Sequence, residues 1–563
     1  MAQYLKQTRS TRTPQGESIL GENQVENSAG GYVYQVDCWT RMERFLVLGS
    51  EGGSYYTTEP KLTRENAENV LKCIKEDGVK TVAKIVEISN AGRAPRQSPG
   101  LYALALAADF GDEATKHAAY LAVPLVCRTG STLMEWVQYT GETWPMGKRK
   151  AIARWFRGWR PRDLAYQVVK YRERNGWSNW DLLRSAHPWP RDGKAEPGVQ
   201  GTSLQMTYNG LIMGWVAGKV PLEEGEYTWH PEVRDFLRAY EQLQKTTDPD
   251  GAAALIRAHR LPREAVPTRL LQSAEVWAAL LDDMPVLATV RNLATLTRRG
   301  VLTPFTGANI EKIEKRLESE NLRKARVHPL QILGALLTYK SGEGVRGSGV
   351  WEPVPKVVDA LDKAFYDAFG AVEPTGKRVL IGIDGSGSME HGEVAGIPGL
   401  SPRLGAVALA LVTANVESSY QIVGYTCEGR TQPGPGTETP TTKGVKPVAI
   451  TPRMRLDAAM AEFAKVVVPE STDCALPVIY ATERNYPIDL FVNLTDNETW
   501  AGPVHPSQAL REHRKKFNVR SKLVVCAMEA TEFSICDQED RDQMDVVGFD
   551  LNVPSVIGEF ARG

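Results

Sequence analysis

The sequence predicts a multidomain chain, an all-α helical-repeat half followed by a doubly wound α/β half. Three observations predict it. From Tyr32 to about Pro355, apolar residues recur at helical spacing in successive segments, with no strand pattern between them. After about residue 356, short β-branched runs alternate with helical patterns, as βαβ units require. Between the two lies Gly342 to Pro355, rich in Gly and Pro, with Trp351 marking it as a packed linker and not a free one.

Taken in order, residues 1–28 are rich in Thr, Ser, Gln and Gly and are expected to form a flexible N-terminal arm. Residues 29–355 form the helical domain. Val70, Leu71 and Ile74 share one face, and Val82, Ile85, Val86 and Ile88 continue it. A second clear helix starts near Pro285 after Asp282-Asp283, runs through Leu287, Val290, Leu293 and Ala294, and ends at Arg298-Arg299-Gly300. Many such helices without a strict sequence repeat suggest stacked pairs, an α-solenoid. Residues 356–563 form the α/β domain. Strands are expected at 378–383, 419–425, 447–450, 488–494, 521–527 and 544–549. Helices are expected at 356–369, 402–416, 455–467, 475–484, 506–516 and 554–561. Gly429 to Lys446 reads as an exposed loop.

Composition excludes several classes. At 563 residues, 42% hydrophobic and 24% charged, the chain has material for a core in each domain. The first thirty residues carry no apolar run and no later stretch is long enough to span a bilayer, so no membrane partner is expected. Seven scattered cysteines without a Cys-x-x-Cys pair fit a reducing cytoplasm better than a disulfide framework or zinc site. Net charge is −1, yet Lys148 to His187 holds eleven Lys/Arg against three Asp/Glu, a local +8. Such a patch suits a phosphate backbone, or is a solvated face with its counter-charges elsewhere in the fold.

The chemistry centres on Arg378 to Ser388. An apolar run, Val379-Leu380-Ile381-Gly382-Ile383, ends in Asp384-Gly385-Ser386-Gly387-Ser388. Ligands of open α/β sheets sit just past the carboxyl ends of the strands. One carboxylate and two hydroxyls there suit a hard divalent cation, Mg²⁺ or Mn²⁺ before Zn²⁺. A surface turn rich in Asp and Ser is the bland alternative. A nucleophile elbow fails on spacing, and so does a phosphate loop, because position 378 is Arg and Gly370 lies one residue too far from Gly376-Lys377. Two more oxygen sources follow. Thr472 precedes a helix, and Asp496 ends the run Ile488 to Thr495. Each has its own ordinary reading, Thr472 as a helix cap and Asp496 as a turn residue.

This set resembles the metal-ion-dependent adhesion site of the von Willebrand factor A domain, and all five positions match. The resemblance implies direct coordination by Ser386, Ser388 and Thr472, with Asp384 and Asp496 acting largely through water. With no general base placed to activate that water, the site is expected to bind and not to catalyse.

The helical half narrows the family. Gly30 to Val36, Arg44-Phe45-Leu46, Gly49 to Tyr56, Val169 to Ser178 with Asp181 to Arg184, Glu275-Val276-Trp277, Met284-Pro285 and Arg291-Asn292-Leu293 are similar to the Ro autoantigen (TROVE) family. Thr472 to Pro477 and Thr495 to Thr499 match as well, so coverage runs from about residue 28 to the C-terminus. The resemblance implies a HEAT-like helical ring closed by the A domain. Its outer face would bind Y RNA-like small noncoding RNA, and its hole would take the single-stranded 3′ end of misfolded RNA.

On matching positions Lys170, Arg172 and Arg174 would contact RNA backbone, with His187 at the same surface. Read from the residues alone, i, i+2, i+4 spacing puts Lys170 and Arg174 on one helical face, and guanidinium suits phosphate. Trp159, Tyr171 and Trp177 interleave with the bases, to stack on unpaired nucleotides or to pack between helices. His187 before Pro188 is equally readable as a cap or a packed histidine. The leading expectation is a cytoplasmic, monomeric, non-enzymatic RNA scaffold in RNA quality control, with an exoribonuclease as family partner. A metal-dependent protein-binding adaptor is the rival, and a metal-dependent nuclease or ATPase a distant third.

Overall fold

The computed structural model describes residues 12–50, 59–94, 96–188, 203–223, 227–325, 327–344, 349–367, 374–394, 399–427, 444–452, 454–466, 471–528, 533–547 and 553–562. Residues 1–11 of the expected arm, residues 51–56 of the Gly49 to Tyr56 motif and residues 429–443 of the expected loop lie outside the described residues.

The rest of the arm is not loose. Strands β1 (Gln24–Glu26) and β2 (Tyr32–Gln35) form an antiparallel pair before the first helix. Polar composition suggested an arm, but two of its polar side chains, Gln15 and Asn27, are buried and satisfied. Gln15 Nε2 donates to Asp473 Oδ1 at 2.6 Å and to the Val504 carbonyl at 2.9 Å. Asn27 Nδ2 donates to the Thr499 carbonyl at 2.9 Å. Gly31 lies so close to the backbone of Thr499 that a Cβ there would clash, so only glycine permits this approach.

The helical array starts at Cys38–Leu48, where Asp37 caps the Thr40 N–H at 2.6 Å. Glu59–Ala91 runs for 33 residues and is broken at Asp77 (φ −156°, ψ 90°). Val70, Cys73 and Ile74 are buried on one side of that break and Val82, Ile85 and Ile88 on the other. The helix expected near Pro285 is Val286–Arg298. Most helices pack on the next or next but one, and a few on the third along the chain. The expected all-helical pattern is interrupted once, by a hairpin of β3 (Glu173–Arg174) and β4 (Trp177–Ser178). Asn175-Gly176, both at positive φ, make its turn, a pairing suited to type I′ geometry.

The α/β half holds a six-stranded sheet. Its strands are β5 (Val379–Asp384), β6 (Tyr420–Tyr425), β7 (Val445–Pro447), β8 (Leu490–Thr495), β9 (Lys522–Ala527) and β11 (Gln543–Val547), in the order β11-β9-β8-β5-β6-β7. All pairs are parallel except β6 with β7. The edge strand expected at 447–450 therefore sits slightly earlier and runs the other way. Ile381 and Ile383 face one apolar core and Leu380 the other, as a sheet covered on both faces requires. Gly382 permits a close approach, because a Cβ there would meet Pro477 Cγ at 2.6 Å.

Both ends of the helical array return to the α/β domain. At the far end, Pro329–Ser341 packs against Pro355–Asp367, Trp351 stacks on Tyr339 with centroids 6.3 Å apart, and Lys340 pairs with Asp457. At the near end, buried Arg44 meets Asp545 at 3.1 Å and donates to the Phe533 carbonyl at 2.7 Å. Beside it, β2 pairs antiparallel with β10 (Phe533–Ser534). The helices thus start and finish on one domain, and the circuit closes.

Candidate metal crevice and nucleic-acid interface

The crevice forms where β5 and β8 lie side by side while the chain leaves them in opposite directions across the sheet, the place where such folds bind ligands. Asp384 ends β5 and Asp496 follows β8. Asp384 accepts from the Ser386 N–H at 2.9 Å and from Thr495 Oγ1 at 2.7 Å. The hydroxyls of Ser386 and Ser388 lie 3.1 Å apart. Asp496 accepts from the Glu498 N–H at 3.1 Å. Thr472 lies on the adjoining loop, tied in by its carbonyl, which accepts from Trp500 and Ala501 at 3.2 and 3.1 Å. That tie is by its backbone, and its hydroxyl takes no part in it. All five residues are 5% exposed or less.

Burial raises both Asp384 and Asp496 above the ordinary carboxylate range, and the Asp496 charge pushes Asp384 further. Neither carboxylate has an ion-pair partner among the described residues. Two carboxylates buried side by side, with no ion-pair contact among the described residues and flanked by hydroxyl oxygens, fit a small dication. Among the described residues there is no cluster of three His, Cys, Asp or Glu, so hydroxyls are needed to complete any such site.

Sequence reasoning missed the groups that hold this loop. Arg403 Nη2 donates to the carbonyls of Gly385 and Ser386 at 3.0 and 2.9 Å while its Nη1 pairs with Glu390. Thr495 clamps Asp384, and Glu498, pushed up to about 8 by burial and by Asp496, lies beside it. Thr495 lay inside a quoted motif; nothing local marks Arg403.

On the helical half the structure revises the basic stretch. Lys170 is the last residue of helix Pro161–Lys170, Arg172 sits in the turn, and Arg174 is on β3. Lys170 and Arg174 therefore do not share a helical face. Lys170 is half-buried, its ammonium 5.4 Å from the rings of both Tyr166 and Tyr171, and burial lowers its pKa. Arg172 is exposed, 5.8 Å from the Tyr240 ring. Arg174 Nη1 donates to the Glu173 carbonyl at 2.7 Å. None of the three has an ion-pair partner among the described residues. Lys170 lines one cavity of about 850 Å³, Arg172 and Arg174 another of about 550 Å³.

His187 is exposed and caps helix Asn179–Ala186 in the left-handed conformation (φ 47°). Ser178 and Asp181 form the capping box at the other end of that helix. Other members of the basic stretch are structural. Lys148, pushed down to about 8 by burial, donates to the Gly141 carbonyl at 2.9 Å, and Arg157 to that of Pro188 at 2.6 Å. Trp159 packs on Trp155, Trp177 on Trp144, and Tyr171 against Gly130.

A closed helical circuit seated on an α/β domain with this crevice defines a TROVE and von Willebrand factor A protein. The TROVE domain family model matches residues 25–211 and 255–338, and the Ro60 vWA domain model matches 378–561. The chain belongs to the Ro60 family. It is 38% identical to an RNA-binding protein RO60 of Deinococcus radiodurans over 571 residues, covering 100% of both chains. It is 32% identical to the RNA-binding protein RO60 of Caenorhabditis elegans, over 98% of this chain and 92% of that one. The crystal structure of the Deinococcus radiodurans RO (RSR) protein superposes with a TM-score of 0.67 at 36% identity, covering 94% of this chain and 100% of that one. None of the seven cysteines forms a disulfide with another described residue, and among the described residues no helix is long and apolar enough to cross a membrane.

Proposed function

We propose that this chain is an RNA-binding scaffold and not itself an enzyme. Its helical half would hold Y RNA-like small noncoding RNA and take single-stranded 3′ ends of misfolded noncoding RNA, in cytoplasmic quality control or processing. It would act as a monomer with an exoribonuclease as partner. The observation that carries this reading is a trio of cations, Lys170, Arg172 and Arg174, without ion-pair partners among the described residues, at two cavities of a Ro60-family chain. His187 stands at the next helix end. Asp384, Ser386, Ser388, Thr472 and Asp496 would hold Mg²⁺, with Mn²⁺ as substitute. The bound ion would supply a positive charge for an acidic group of a partner or for solvent.

A gel-shift titration with a hairpin RNA carrying a single-stranded 3′ tail tests the reading, across salt and with and without chelator. Salt-sensitive binding indifferent to chelator is expected. No binding at moderate salt would replace it with the metal-dependent adaptor.

A further inference from the structure

Two of the three loops that build the metal crevice are tied together by a side chain from the other end of the chain. Gln15 is fully buried and lies outside the residues matched by either family model. Its Nε2 donates to Asp473 Oδ1, beside Thr472, at 2.6 Å, and to the Val504 carbonyl, in the segment after Asp496, at 2.9 Å. Its Oε1 accepts from the hydroxyl of Thr499 in that same segment. Thr499 Oγ1 in turn accepts from the Cys474 N–H at 3.0 Å. The backbone of Gln15 is engaged as well, its N–H donating to the Gly502 carbonyl at 2.9 Å and its carbonyl accepting from the Tyr32 N–H at 2.7 Å. The seat is tight: a Cβ on Gly502 would stand 2.2 Å from Gln15 Nε2 and 2.5 Å from Asp473 Cγ.

We propose that Gln15 is a positioning residue for the metal site, its amide fixing the loop of Thr472 against the segment that follows Asp496. The proposal rests on the metal-binding reading of the crevice above. Mg²⁺ demands near-ideal octahedral geometry at about 2.1 Å, so it tolerates little error in the spacing of its ligands. The bonds from Trp500 and Ala501 hold Thr472 at one point, its carbonyl. Gln15 adds a second point at Asp473, and two points set the direction of the Thr472 side chain where one leaves a pivot. Partners that orient ligands without touching the ion change metal affinity by about 10–100-fold when removed. Gln15 also holds Tyr32 at the head of β2, so the ion and the near-end closure are linked and each stabilises the other.

Titration calorimetry of the full chain with Mg²⁺ tests it. The unaltered chain is expected to bind, and Gln15→Met, which keeps the length of the side chain and loses its hydrogen bonds, to bind about 10–100-fold more weakly. Arg12→Ala frees the same stretch from Glu512 alone and should leave Mg²⁺ affinity unchanged. Hydrogen exchange gives a second readout: saturating Mg²⁺ should slow exchange in residues 12–35 of the unaltered chain and not in Gln15→Met. Equal Mg²⁺ affinity in the unaltered chain and Gln15→Met overturns the assignment and leaves the metal site standing. So does exchange in that stretch that is indifferent to Mg²⁺. An equal loss in Arg12→Ala also overturns it, because any loosening of the stretch would then suffice. If Gln15→Met fails to fold, Thr499→Val breaks the same bridge from its other end, and unchanged affinity there overturns the assignment. Failure of the unaltered chain to bind Mg²⁺ overturns the metal reading itself, and this proposal with it.

Discussion

In the crevice, side chains from three loops are buried, and those of the Asp384 and Asp496 loops are braced by hydrogen bonds of 2.7 to 3.1 Å before any ligand arrives. On the cationic face, Lys170, Arg172 and Arg174 come from a helix end, a turn and a strand, stand partly in solvent and have no acid partner among the described residues. The first arrangement concentrates like charge where water is scarce, so its response should be to a single ion of fixed size and charge. The second spreads charge where water screens it, so its response should be to ionic strength and to extended polyanions. One molecule carries both because they lie on different halves, far apart in sequence.

Four changes sharpen or break that contrast. Asp384→Ala should abolish Mg²⁺ and Mn²⁺ uptake in titration calorimetry and leave RNA affinity unchanged; heat of binding that persists would show the ligand set to be wrong. Arg44→Ala attacks the joint between the halves. It strands the buried Asp545 carboxylate and should cost about 3–5 kcal/mol in chemical denaturation. A loss under about 1 kcal/mol, one ordinary hydrogen bond, would mean that Ser534 and Gln538 hold Asp545 without it.

The third change concerns acid. Burial pushes His328 down to about 3, and its Nδ1 accepts from the Leu330 N–H at 3.1 Å. The unfolded chain protonates this histidine first as pH falls, so its contribution is intact above about 6.5 and drains away toward 3. At about 1.36 kcal/mol per pH unit, the loss between pH 7 and pH 4 is about 3 kcal/mol. His328→Asn keeps a capping acceptor and should flatten that part of the stability profile; an unchanged slope would place the acid sensitivity elsewhere, with His513 the next candidate. Smallest is Lys170→Ala/Arg174→Ala, expected to weaken RNA binding roughly tenfold and to lower the salt slope by about one per contact, with metal uptake unaffected. A fall confined to one RNA sequence would mean base readout instead of backbone contact.

The convergence of Asp384, Ser386, Ser388 and Asp496 was legible because they follow the ends of predicted strands, and strand ends fix direction; Thr472 follows no predicted strand. Arg403 and the Asp384–Thr495 bond were not, since those partners meet only through the sheet order. On the cationic face residue types alone misled. Helical periodicity extended past Lys170 placed Lys170 and Arg174 on one face, although Asn175-Gly176 was a hairpin signal in plain view. Residues 12–28 misled for the opposite reason. Their polarity reads as solvation, yet Gln15 and Asn27 spend it on buried partners that no local pattern reveals.

The pairing of β2 with β10 also sets an order of events during synthesis. Arg44 and the Phe533 carbonyl that receives it are 489 residues apart, so the near end of the array leaves the ribosome long before its seat exists. Helices can accumulate one upon another as they emerge, since most pack on helices close to them in sequence. Until the stretch from Phe533 to Val547 has been translated, β2 lacks its β10 neighbour and Arg44 lacks Asp545. Closure is thus a late act of translation, and a nascent chain stalled before that stretch would hold its helices as an open arc.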